Sequence, residues 1–189
     1  MANNGYITPM FIQIQNTPNP NSLKFIPEAK VSEVGPLEFL DVNKTDNKLI
    51  KNILSIEGVR GVFLYSDFLS VNKHSSLQWE EIKHIIISYI NDHYSKGNKS
   101  IISFENDLEE KKDYNEIEKK IVNVLETKVR PAVARDGGDI TFQKFENGKV
   151  TVKLQGSCSG CPSSTITLKK GVENLLTHYV PEVKEVISI

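Results

Sequence analysis

Cysteine is nearly absent: two residues in a chain of 189. That number excludes a disulfide framework of the kind that holds small secreted domains together. Excess charge is also missing, because 23 Lys and Arg face 24 Asp and Glu for a formal net charge of -1. Without a basic field, no nucleic-acid footprint is expected. No apolar run approaches the roughly 20 residues needed to cross a bilayer, so no membrane partner is expected. The residues before Phe11 contain no Lys or Arg, which reads as neither a secretory signal nor a transit peptide. Together these gaps point to a reducing, cytoplasmic setting, where a pair of thiols more often binds metal or does redox work than makes a structural bridge.

What is present is the composition of a folded protein, 39% hydrophobic and 25% charged, long enough for one domain or two small ones. Both cysteines fall in one heptapeptide, Gly156-Ser157-Cys158-Ser159-Gly160-Cys161-Pro162. Gly156 and Gly160 leave the loop without bulk, so its backbone can approach a bound group closely. Pro162 suits the first turn of a helix, where no amide hydrogen is required. Thiols at a helix start are expected to have lowered pKa values and to be rich in thiolate.

Along the chain, Phe11 to Gln15 alternates like a half-buried strand, and Leu23 to Ile26 resumes as a second one after the turn Thr17-Pro-Asn-Pro-Asn21. The stretch from Glu28 to Leu40 reads as loop. Asp46 is placed to cap a helix carrying Leu49, Ile50, Ile53 and Leu54. Val59 to Tyr65 and Phe68 to Asn72 read as paired strands. Ser75 or Ser76 is placed to cap a longer helix with Trp79, Ile82, Ile86, Tyr89 and Ile90 as its core stripe. The apolar pattern stops near residues 95–99, and Glu105 to Asp113 is a dense charge run. The expected division is therefore 1–96 for a first domain, 97–112 for a linker and 113–189 for a second domain.

The second domain opens with a helical face of Tyr114, Ile117, Ile121, Val124 and Leu125 that runs toward Arg130, where Pro131 threatens a break. Asp136-Gly-Gly-Asp139 reads as a turn rather than an acidic metal loop. Asn147-Gly148 joins two alternating runs, the strongest short-range hairpin signal available. A helix with Leu168, Val172, Leu175, Leu176 and Tyr179 follows the cysteines, and Val183 to Ile187 reads as a closing strand. The expected class is α+β: two small mixed domains, the second a helix, a β-hairpin, a helix and a final strand.

The cysteine pair leaves several chemistries open. A zinc or iron–sulfur centre usually takes four protein ligands, and one chain supplies two thiolates. His178 lies at the far end of the next helix, roughly 25 Å away, and is expected at the surface; His74, His84 and His93 carry no ligand pattern. A two-fold pair of chains would supply four thiolates around one shared centre. A thiol–disulfide oxidoreductase is the alternative, but only 28 residues follow Cys161, too few for the rest of a thioredoxin-like fold. A zinc-bridged interaction module is a third reading. No Ser/His/Asp set, phosphate loop or paired carboxylates appear, so no enzymatic reaction is expected.

Arg130-Pro-Ala-Val-Ala-Arg-Asp-Gly-Gly-Asp139 and Leu154-Gln-Gly-Ser-Cys-Ser-Gly-Cys-Pro-Ser-Ser-Thr-Ile-Thr-Leu168 together resemble the C-terminal domain of the NifU-like (Nfu) proteins. Gln15-Asn-Thr-Pro-Asn-Pro-Asn-Ser-Leu-Lys-Phe25 and Ile56-Glu-Gly-Val59 are similar to the family's N-terminal domain. The resemblance covers nearly the whole chain. It implies an iron–sulfur scaffold or carrier that holds a [4Fe-4S] cluster between the two protomers of a homodimer. Its partners would be apo iron–sulfur clients and upstream assembly factors. Cys158 and Cys161 match the family's cluster ligands residue by residue. The chain lacks the extra cysteine-bearing domains of full nitrogen-fixation NifU, which favours transfer over assembly from the elements. Thr17 to Phe25 reads either as a docking surface or as a rigid loop. Heavy Asn, Lys and Ile usage points to the cytoplasm of a bacterium, with the mitochondrial matrix, after removal of a transit peptide, as the alternative.

Overall fold

The computed structural model describes residues 10–103, 114–159 and 162–189. The charge run at 105–113, together with Gly160 and Cys161, lies outside the described residues. The chain is α+β and divides into two units, one of Met1–Gln15 with Lys24–Phe104 and the other of Asn16–Leu23 with Glu105–Ile189. Among the described residues no helix is long and apolar enough to cross a membrane.

The first unit is built on a sheet in the order β1-β2-β5-β4-β3, with β1 at Ile12–Asn16, β2 at Ser22–Pro27, β3 at Leu37–Phe39, β4 at Val59–Leu64 and β5 at Leu69–Lys73. Strand β4 pairs antiparallel with β5 on one side and β3 on the other. Helices α1 (Lys48–Leu54) and α2 (Trp79–Ser95) bury Leu49, Ile50, Ile53, Ile82, Ile86 and Ile90. Strand β3 lies inside the stretch expected to be loop. Its Leu-Glu-Phe does alternate, but three residues are fewer than the four to eight over which alternation announces a strand.

Both helix caps differ from expectation by one to three residues. Asn47, not Asp46, accepts from the Ile50 N–H at 3.2 Å, while Asp46 pairs with Lys51. At α2 the Glu81 carboxylate accepts from the Gln78 N–H at 3.1 Å; Ser76 is drawn instead to His74 Nδ1 at 2.7 Å. Trp79 is half-buried rather than core, with the Lys73 ammonium 5.3 Å from its ring centre.

The second unit opens with α3 (Glu116–Val124), capped by Asn115, whose side chain accepts from the Ile117 and Glu118 N–H groups. A wide π turn, Leu125–Val129, leads into α4 (Arg130–Arg135). The helix thus passes Pro131 by widening rather than ending, because an i→i+5 turn relieves the clash a proline ring makes with the preceding turn. Strands β6 (Gly138–Glu146) and β7 (Lys149–Gly156) form the expected hairpin, and both turn residues are left-handed, Asn147 at φ 51° and Gly148 at φ 79°. Helix α5 (Pro162–Tyr179) follows, and β8 (Glu185–Ser188) closes the sheet by pairing parallel with β7. The core between helices and sheet includes Ile121, Leu125, Val133, Ile140, Val152 and Leu176. Tyr114 stands edge-on to Phe142 with ring centres 5.5 Å apart, holding the start of α3 to the hairpin. Of the expected α5 stripe, Val172 and Leu176 are buried, whereas Leu175 and Tyr179 are exposed.

Candidate functional site

The end of β7 and the start of β6 bring two glycines opposite each other, Gly138 facing Gly156 in the ladder. Gly156 has φ +65° and Gly137 φ +85°, conformations that glycine adopts without strain. The chain therefore leaves the sheet at Gly156 and folds back over the start of β6. Ser157 N–H donates to the Gly137 carbonyl at 3.1 Å, and the Ser157 hydroxyl donates to the Asp136 carbonyl. Ser159 closes the turn, its N–H and its hydroxyl both reaching the Gly156 carbonyl.

This fold-back carries the Cys158 sulfur inward. Cys158 is 8% exposed and belongs to the apolar cluster under α4 and α5. A Cβ at position 138 would stand 2.6 Å from its Sγ, so only glycine there leaves room for the sulfur. Burial pushes the Cys158 thiol up from its ordinary 9.0 to about 11; Asp136 and Asp139 push the same way, and the neighbouring Ser157 hydroxyl offsets part of the rise. The expected lowered pKa and thiolate richness are thus corrected at Cys158. Desolvation of the anion outweighs any favourable field from the loop. Cys161 lies outside the described residues. His178 is exposed, as expected of a surface residue.

Two further features of the site went unread in the sequence. Asp139, expected in a turn, is fully buried and clamped by Arg130, with Nε to Oδ1 at 2.8 Å and Nη2 to Oδ2 at 3.0 Å. This bidentate pair ties α4 to the first residues of β6, directly beside Gly138. The two partners mark the ends of the Arg130–Asp139 block, and that spacing was the available signal. The second feature is Asn19, 3% exposed, whose Nδ2 donates to the Ser157 carbonyl at 3.0 Å and reaches the Ser159 carbonyl at 3.4 Å. Pro18, Asn19, Val133, Asp136, Cys158 and Leu168 are among the residues lining a cleft of about 450 Å³. Among the described residues no three His, Cys, Asp or Glu side chains converge as a metal site.

Chemically, among the described residues the loop offers one buried thiol lining a cleft, and glycines that let backbone approach it. A thiol in this state is guarded rather than reactive, and it must both emerge and lose its proton before it can ligate a metal.

A family model described as the NifU-like domain matches residues 121–187, and one described as the scaffold protein Nfu/NifU N terminal matches residues 12–97. The chain is similar to NifU-like protein 4, mitochondrial, of Arabidopsis thaliana, with 45% identity over 94% of this chain and 65% of that protein. It is 43% identical to the NFU1 iron–sulfur cluster scaffold homologue, mitochondrial, of Drosophila willistoni, over 95% of this chain and 64% of that protein. The chain thus spans just under two thirds of the length of these relatives. A solution NMR structure of a NifU-like protein from Saccharomyces cerevisiae is 25% identical, covers 56% of this chain and 93% of that one, and superposes with a TM-score of 0.47.

Proposed function

This chain belongs to the NifU-like (Nfu) scaffold family, and from that premise we propose that it carries iron–sulfur clusters and passes them to apo-proteins. The cargo is a [4Fe-4S] cluster, held between two protomers by Cys158 and Cys161 of each. The observation that carries this reading is the donor set. The whole chain has two cysteines, both on one glycine-flanked loop, and four thiolates require two chains. Gly138 and Gly156, stacked under that loop, suit close approach of backbone amides to sulfur. With Cys158 covered in the described conformation, cluster binding requires the loop to open. Ligand exchange with a client then proceeds by thiolates replacing thiolates, which calls for no catalytic residue, and the protein is read as a carrier rather than an enzyme.

The partners that follow are a second copy of the chain when the cluster is bound, apo iron–sulfur clients, and upstream assembly factors. The names of the relatives carry the word mitochondrial, which supports a mitochondrial setting over the bacterial cytoplasm. The oxidoreductase alternative is not favoured. The matching family models and relatives are described as NifU-like proteins and scaffolds, and only 28 residues follow Cys161, too few for the rest of a thioredoxin-like fold.

Anaerobic reconstitution with iron and sulfide tests the proposal. Wild type should acquire visible absorption and about four iron and four sulfide per two chains, while Cys158→Ser and Cys161→Ser should retain little of either. A wild type no better than these variants would contradict it.

A further inference from the structure

We propose that Asn19 is a latch on the cysteine loop, holding Cys158 covered until a cluster is taken up. This rests on the carrier reading for its purpose, but the latch itself is argued from geometry within the second unit. The segment from Thr17 to Ser22 is pre-shaped by its own bonds. Ser22 N–H donates to the Asn19 carbonyl at 2.9 Å, Asn19 N–H donates to the Thr17 hydroxyl at 3.2 Å, and that hydroxyl lies 2.9 Å from the Asn19 carbonyl oxygen. Asn21 N–H donates to Asn19 Oδ1 at 2.9 Å. That last bond fixes the orientation of the amide, because only an oxygen can accept it. The Asn19 NH2 must then point the other way, and there it meets the carbonyls of Ser157 and Ser159.

Those two carbonyls flank Cys158 on either side. One nearly inaccessible side chain therefore reaches both neighbours of the buried sulfur, bonding to Ser157 at 3.0 Å and more weakly to Ser159 at 3.4 Å. Pro18, Asn19 and Cys158 line the same cleft. A buried amide whose donors are both engaged is costly to pull away without replacement, so the closed loop is held specifically rather than by apolar packing alone. The Asn-Pro-rich segment of the first strand connection thus serves the cysteine loop, as a cover that must lift before Cys158 can ligate.

The test uses the full-length, reduced, cluster-free chain in a Cys161→Ser background, so that Cys158 is the one thiol present. Asn19→Asp is the diagnostic variant. It keeps an oxygen to accept from Asn21 N–H, and so keeps the turn, but sets a carboxylate oxygen against two carbonyls. Alkylation of Cys158 by iodoacetamide, followed by mass and measured without urea where both proteins are folded, should accelerate at least about fivefold in Asn19→Asp. A rate within about twofold of the Asn19-containing protein would overturn the latch, since two donated bonds are lost. If Asn19→Asp does not fold, wild-type amide exchange decides. The Asn19 side-chain NH2 should be protected in the apo protein and lose protection on loading with iron and sulfide. Exchange as fast as that of Asn147, which is exposed, would overturn the proposal. The two readings fail separately: faster alkylation in a protein that holds no cluster keeps the latch and removes the carrier, and unchanged alkylation in a protein that holds one does the reverse.

Discussion

At Gly138 an added Cβ would stand 2.6 Å from the Cys158 sulfur and 2.6 Å from the Gln155 carbonyl oxygen. The second contact is with backbone in a paired strand and cannot be relieved by turning a side chain. Gly138→Ala should therefore destabilise the apo protein by about 1–3 kcal/mol, seen as a lower urea midpoint, and should displace Cys158 so that it alkylates faster. The raised Cys158 pKa makes a second expectation. A group whose folded value lies above its unfolded one contributes stability that is complete below the unfolded value and is lost as pH rises through the folded value. Wild-type stability should thus fall between about pH 9 and pH 11 by on the order of 2–3 kcal/mol, relative to Cys158→Ser over the same range. Equal slopes in the two proteins would count against a buried, protonated thiol. Scarcity alone made the cysteines legible in the sequence. Which way Cys158 points was not, because Gly and Ser neighbours describe a flexible loop and say nothing of the fold-back over Gly138. Asn19 was hidden for a similar reason: its partners are backbone carbonyls some 138 residues away, and backbone acceptors leave no mark on a sequence.

Among the elements, the join between α4 and β6 matters most, since it sets the floor under the cysteine loop. Arg130 is 21% exposed and also meets Glu126 at 2.8 Å, whereas the Asp139 side chain is fully buried. The two halves of this pair should therefore be unequal. Arg130→Ala strands a buried carboxylate and should cost about 3–5 kcal/mol. Asp139→Ala leaves a guanidinium that still reaches water and Glu126, and should cost about 1–2 kcal/mol. Equal losses in urea unfolding would contradict this assignment. The hairpin was the most legible element, because Asn147-Gly148 supplies the two left-handed residues that its turn demands. The α3–α4 passage was half legible: Pro131 announced a disturbance, but only packing decides whether a helix breaks or widens. Caps were misplaced by one to three residues because neighbouring Asp46 and Asn47, or Ser76 and Gln78, are all chemically able to serve. Strand β3 is three residues long, too short for its alternation to register.

At the scale of the whole molecule, the α+β class and the two-block motif order were readable from one sequence, and the family models fall on the same two regions. A small unit gains stability from any ligand that binds only its folded, open form. The proposed sharing of a cluster between two chains would make assembly and loading one equilibrium, with mass and metal content rising and falling together. The most direct measurement is the anaerobic native mass of the reconstituted chain before and after treatment with an iron chelator. The account predicts a cluster-bearing dimer that returns to cluster-free monomer as iron is removed. A cluster held on a single chain, or a dimer indifferent to the loss of its iron, would contradict it.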